Sequence, residues 1–136
     1  MADGGPKTGD VASVAEFRAA LRRFLRKSER ISRSSGLTPQ RYLLLLMIKG
    51  AADGSERSTV TELADRLQLA QSTVTELVSR AEEAGLVGRE MSRRDGRVAH
   101  LRLTEEGERR LGLAFTKLET ERRELLEVFR HLDDDD

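Results

Sequence analysis

Residues 60–107 read VTELADRLQLAQSTVTELVSRAEEAGLVGREMSRRDGRVAHLRLTEEG, and the changes of period along that stretch decide the fold. Just before it, Thr59 opens a capping box with Glu62: the threonine hydroxyl accepts one free backbone N–H and the glutamate reaches back to another. Leu63, Ala64, Leu67 and Leu69 follow at helical spacing. After a short turn, Val74, Leu77, Val78 and Ala81 again fall on one helical face. Gly85 stands just past them, where a left-handed residue ends a helix. The period then drops to two. Residues 86–91 and 98–103 read as short strands, and Asp95-Gly96 between them is a dipeptide that tight hairpin turns favour. Thr104-Glu105-Glu106 opens another helix.

Two short helices joined by a tight turn and followed by a hairpin with a basic tip form a winged helix-turn-helix. The second helix is narrow enough for the major groove of duplex DNA. The hairpin tip can reach phosphates or the adjacent minor groove. Because Val74, Leu77, Val78 and Ala81 face inward, Ser72, Thr73, Thr75, Glu76, Ser79 and Arg80 face outward, with Gln71 at the helix start. Thr75, Glu76 and Ser79 are placed to read bases, and Ser72, Thr73 and Arg80 to hold phosphates. Arg93, Arg94 and Arg97 surround Asp95 at the hairpin tip. A polar solvated face and a charged turn are the plainer readings of these two groups.

Working outward, Ser13-Val14-Ala15-Glu16 is a second capping-box pattern. It predicts a helix over 13–33 with an apolar stripe of Val14, Phe17, Leu21, Phe24, Leu25 and Ile31. Residues 1–12, rich in glycine, are expected to be a disordered lead-in. Thr38-Pro39 caps a helix whose run Leu43 to Ile48 is apolar all round, hence packed on every side. On the other flank, Leu111, Phe115, Leu118, Leu125, Phe129 and Leu132 predict one long helix. Arg122 takes the one polar slot of that seam. The expected layout is a single mainly α domain over 13–132 with a small β-hairpin wing. Its DNA-binding part covers about 37–104, flanked by dimerisation helices over about 13–35 and 105–132; residues 133–136 form an acidic tail.

The 136 residues suit one domain. Ala, Glu, Lys, Leu and Arg make up more than half of them, which favours long helices. The chain has no cysteine, which excludes disulfides, thiolate zinc and thiol redox sensing. With two histidines, His100 and His131, far apart, no metal site, cofactor or catalytic set is expected and an enzyme is disfavoured. No apolar run is long enough to span a membrane and no signal peptide is visible, so the expected location is the cytoplasm. Net charge is zero, but it is sorted: residues 13–35 carry seven cations against two acids, and residues 119–136 carry eight acids against three cations.

The stretch Val60-Thr61-Glu62-Leu63-Ala64-Asp65-Arg66-Leu67, then Gln71 to Thr75, then Gly85-Leu86-Val87, resembles the MarR family of bacterial transcription regulators. So do Asp95-Gly96-Arg97 at the tip and Leu103-Thr104-Glu105-Glu106-Gly107 at the next helix entry. The resemblance covers roughly residues 37–110. It departs at Gln68, where glycine is common in the family, at Ala70, where a capping serine or aspartate is usual, and at Glu76, an acid on a face often basic or neutral. The resemblance implies that Arg97 enters the minor groove while Asp95 orients it or pairs with Arg80. It further implies a homodimer intertwined through its terminal helices, here Val14, Phe17, Leu21, Leu118, Leu125, Phe129 and Leu132. That dimer would bind a pseudo-palindromic operator as a repressor. Relatives often bind small aromatic acids where the dimer helices meet the winged part, which points to Arg22, Arg41 and Tyr42, although a core role for Tyr42 is the plainer reading. A winged module that contacts proteins instead of DNA is the alternative.

Overall fold

The computed structural model describes residues 4–92, 94 and 96–134. Its elements are α1 (Thr8–Ser34), α2 (Pro39–Lys49), α3 (Val60–Leu67), α4 (Gln71–Glu83), β1 (Val87–Met91), β2 (Ala99–Leu103), α5 (Glu105–Lys117) and α6 (Glu119–Asp134). The expected mainly helical architecture with a hairpin wing is present. The Thr59 capping box forms with both of its hydrogen bonds, Thr38 accepts from Arg41 N, and Thr104 accepts from Gly107 N.

Three helices end in one backbone pattern, in which the N–H two residues past the last helical turn folds back on a carbonyl. After α1, Leu37 N–H bonds Ser32 O. After α3, Leu69 N–H bonds Ala64 O. After α4, Leu86 N–H bonds Ala81 O. The pattern needs a left-handed residue, supplied by Gly36, Gln68 and Gly85. Gln68 holds φ 55° without glycine's freedom, at a cost of about 1 kcal/mol. Its own side-chain amide donates to Asp65 O at 2.6 Å.

The core is one cluster under α2. Leu44, Leu45 and Ile48 meet Leu63, Val74, Val78, Ala81, Leu86, Leu101, Leu111 and Leu118. β1 and β2 pair antiparallel with Val87 opposite Leu103 and Met91 opposite Ala99. Ser58 adds a one-residue bridge to Leu101, donating at 3.1 Å and accepting at 2.8 Å. No sequence pattern announces that contact.

Two expectations change. Helix α1 begins at Thr8, not at Ser13, so residues 8–12 of the expected lead-in are helical and Ser13–Glu16 lies inside the helix. Nothing between Asp10 and Ser13 breaks a helix, and Asp10 in the first turn favours the positive helix start. The single C-terminal helix is divided at Leu118. There the Leu118 N–H is shared between Ala114 O and Phe115 O, while the Arg122 guanidinium donates to Phe115 O and lies 3.7 Å over the Phe115 ring. The polar slot in the seam thus carries the group that caps the broken turn.

Helices α1 and α6 run antiparallel as an arm beside this body. Phe17 meets Phe129 edge-on at 5.5 Å, and Lys27 pairs with Glu121 at 3.1 Å.

Candidate nucleic-acid interface

Helix α4 is anchored by its apolar face. Val74, Val78 and Ala81 are buried and Leu77 is partly buried against the core. The opposite face presents Gln71, Ser72, Thr73, Thr75, Glu76, Ser79 and Arg80, all exposed. All seven residues expected there therefore share one accessible surface. Glu76 accepts from Arg80 at 2.7 Å, one helical turn apart. No side chain caps the α4 start at Ala70. Its first backbone N–H groups, beside the Ser72 and Thr73 hydroxyls, form the positive end of the helix, which suits an anion such as phosphate.

The helix before it is held rigidly. Arg66 on α3 donates to Met47 O at 3.1 Å and Gly50 O at 3.0 Å, closing the last turn of α2. The angle between α3 and α4 is then set by the left-handed Gln68 turn.

The wing carries exposed Arg94 and Arg97 near its tip, and the Arg94 N–H donates to Ser92 Oγ at 3.3 Å. Arg93 and Asp95 lie outside the described residues, so the expected contact of Asp95 with Arg97 or Arg80 lies outside them too. Below the tip the cations are paired. Arg57 and Arg102 flank Glu90 at 3.1 and 3.8 Å, and Arg89 meets Glu82 of α4 at 2.9 Å. These pairs tie the wing to the preceding loop and to α4. Sequence reasoning missed them because each joins residues of different elements, with no fixed spacing to find.

The wing joins the body at Thr104. Its hydroxyl donates to Gly85 O at 2.6 Å and accepts from Gly107 N at 3.1 Å, while its N–H donates to Leu86 O at 3.0 Å. Gly107 lies so close that a Cβ there would stand 2.1 Å from Leu86 O. The Leu-Thr-x-x-Gly pattern is therefore a packing requirement at the end of α4.

Of the residues considered for a ligand, Tyr42 is 5% exposed and belongs to the core. Burial pushes its phenol above the ordinary range, with the Arg122 charge opposing. Arg41 is partly buried. Arg22 lies on exposed α1, in an open groove of about 590 Å³ shared with Leu25, Arg26, Glu29, Arg30 and Arg33. Neither Arg41 nor Tyr42 lines that groove. Of the expected dimer residues, Leu118 is 1% exposed within its own chain and Phe17 is partly covered by Phe129, whereas Val14 and Phe129 are more than half exposed. Leu21 and Leu125 are partly buried; the Leu132 side chain lies outside the described residues.

A helix-turn-helix whose second helix bares a polar face beside a basic two-stranded wing defines a winged-helix DNA-binding protein. A MarR family model matches residues 35–98. The chain is 30% identical over 120 residues to YsmB of Bacillus subtilis (strain 168), an uncharacterised HTH-type transcriptional regulator, covering 85% of this chain and 80% of that one. The chain belongs to the MarR family of transcriptional regulators, which are DNA-binding proteins and not enzymes. Its fold is similar to that of a MarR family protein from Bacillus stearothermophilus, with TM-score 0.71, 29% identity, and 90% and 84% of the two chains covered. It is also similar in fold to a mutant MarR from E. coli complexed with operator DNA, with TM-score 0.65, 20% identity, and 79% and 75% covered. No helix among the described residues is long and apolar enough to cross a membrane.

Proposed function

We propose that the chain acts as a homodimeric repressor in the bacterial cytoplasm, binding a short pseudo-palindromic operator with α4 in the major groove and the wing tip in the adjacent minor groove. The observation that carries this reading is the sorting of α4: one face is buried in the core, and the other bears seven exposed polar residues beside Arg94 and Arg97. Thr75, Glu76 and Ser79 read base edges; Gln71, Ser72, Thr73 and Arg80 position the helix on phosphates. Arg93 and Asp95 belong to the same wing contact. The dimer is supported by apolar side chains left open on the arm, among them Val14 and Phe129. A twofold pair would set two recognition helices about one DNA turn, ~34–36 Å, apart. A small-molecule effector would act by changing that separation.

Selection from random duplex DNA tests the reading. A twofold-symmetric motif is the expected product. Arg97→Ala should weaken binding to all sequences and reduce the salt slope by about one. If no motif is enriched and binding is weak throughout, the sequence-specific reading falls and the winged module is left to protein contacts.

A further inference from the structure

The exposed face of α4 has a centre. Directly opposite the buried Val74, Val78 and Ala81 lie Ser72, Glu76 and Ser79, spaced four and three residues apart along one line of the helix. Ser72, Ser79 and the neighbouring Thr75 are short. The longer Gln71 and Arg80 leave from the sides of the face. Glu76 is therefore the side chain that stands highest at its centre, in the second turn of α4. Glu83 continues the line only at the last residue of the helix.

A carboxylate is a costly group to bring into a DNA groove. Each phosphate repels it, and it gives up water on entering. Arg80 offsets the repulsion: its Nη2 donates to Glu76 Oε1 at 2.7 Å, so the two side chains form a neutral unit. Both remain more than half exposed. Among the described residues no second donor reaches Glu76, so the capacity of its carboxylate to accept is unfilled.

That capacity is selective, because a carboxylate only accepts. In the major groove guanine offers two acceptors, N7 and O6, and thymine offers the O4 acceptor and a methyl group. Adenine sets its N6 donor beside the N7 acceptor. Cytosine presents an N4 donor with no acceptor next to it on its own edge.

We propose that Glu76 is a specificity-determining residue that selects a cytosine in each half-site by accepting from its N4 amino group, with Arg80 holding the carboxylate in place. The inference rests on the reading of α4 as the helix that enters the major groove, and it names a base pair for that helix. Ser72 and Ser79 contribute by their size, since short neighbours let the helix approach closely enough for Glu76 to reach the base edge. Arg80 is a positioning residue here: one arm of its guanidinium orients Glu76 while its other donors face the phosphate. A twofold pair repeats the C·G contact, inverted, in the second half-site.

Selection from random duplex DNA with the parent, Glu76→Gln, Glu76→Ala and Arg80→Ala tests it. All three substitutions fall on exposed helix positions, where effects on folding are small. The parent should enrich a motif with one fixed C·G pair per half-site, preferred over other pairs by about tenfold or more. Glu76→Gln should move that pair to A·T, because an amide matches adenine N6 and N7, and leave the other positions alone. Glu76→Ala should make that pair indifferent. Arg80→Ala should weaken binding to every sequence and also narrow the preference at the same pair. A parental motif retained by both Glu76 variants overturns the inference and leaves α4 in the groove. Tighter binding of Glu76→Gln to all sequences alike also overturns it, since the carboxylate would then only repel phosphate. Arg80→Ala with uniformly weaker binding and an intact preference overturns the positioning role. A parent that enriches no motif overturns the reading of α4 itself, and this inference with it.

Discussion

In the body, Leu44, Leu45, Ile48, Leu63, Val74, Val78 and Leu101 are fully buried by neighbours of their own chain. In the arm, Phe129 is 55% exposed although it continues the same kind of helical apolar seam, and Leu126 beside that seam is equally exposed. The difference is one of supply. The body has three helices and a hairpin arranged round α2, enough surface to close over it. The arm has two helices side by side, and two helices can cover only the line where they touch. The same heptad-like spacing therefore marks a finished core in one region and an unfinished one in the other.

The largest expected effect separates the two regions directly. Leu45→Ala should cost about 2–5 kcal/mol of stability because it opens a cavity in a closed core. Leu126→Ala should cost under about 0.5 kcal/mol in the monomer, as for other exposed sites. Chemical denaturation of both variants at a concentration below dimer dissociation checks this. Similar losses would mean that the arm is already closed within one chain.

Gly107→Ala comes next, at about 3 kcal/mol, because the new methyl meets backbone that no rotamer change can move. A variant that melts like the parent would show that α5 can shift away from Leu86. Gln68→Gly goes the other way. Removing a side chain from a left-handed position should raise stability by about 1 kcal/mol, while DNA affinity holds if the turn keeps its angle. A loss of stability would assign the larger share to the Gln68 amide bond.

The smallest effect concerns pH. Glu106 sits between Arg109 and Arg110, whose hydrogen bonds lower its carboxyl to about 2. Its stabilisation is present above the ordinary carboxylate range and is lost as pH falls toward 2. Contact with solvent along the pair keeps the contribution small. Acid titration of Glu106→Gln beside the parent should show a slightly shallower loss of stability over that range. Superimposable curves would assign the pair no share in stability.

Much of the body was legible because its signals are local. Thr59 and Thr104 cap as their spacing says, Gly85 ends α4, and the hairpin falls where period two begins. The exposed row from Gln71 to Arg80 follows from the buried one, since placing Val74 and Val78 inside leaves the others no alternative. What escaped depends on partners distant in sequence or on context. A Ser-x-x-Glu pattern marks a helix start only if something stops the helix before it, and at Ser13 nothing does. The break at Leu118 has no glycine or proline to announce it. The bridge from Ser58 to Leu101 and the pair of Arg89 with Glu82 depend on how elements come together, which no spacing encodes.

The joint at Thr104 has a mechanical consequence. One hydroxyl and one missing methyl clamp the end of α4, the root of the wing and the start of α5 into a single node. Such a node transmits torque but absorbs none. Rotation of α5 carries α4 and the wing with it like spokes on a hub. In the proposed dimer, any adjustment in the distance between the two copies of α4 would then take place where the copies meet, and the gearing of that assembly would lie in the arm.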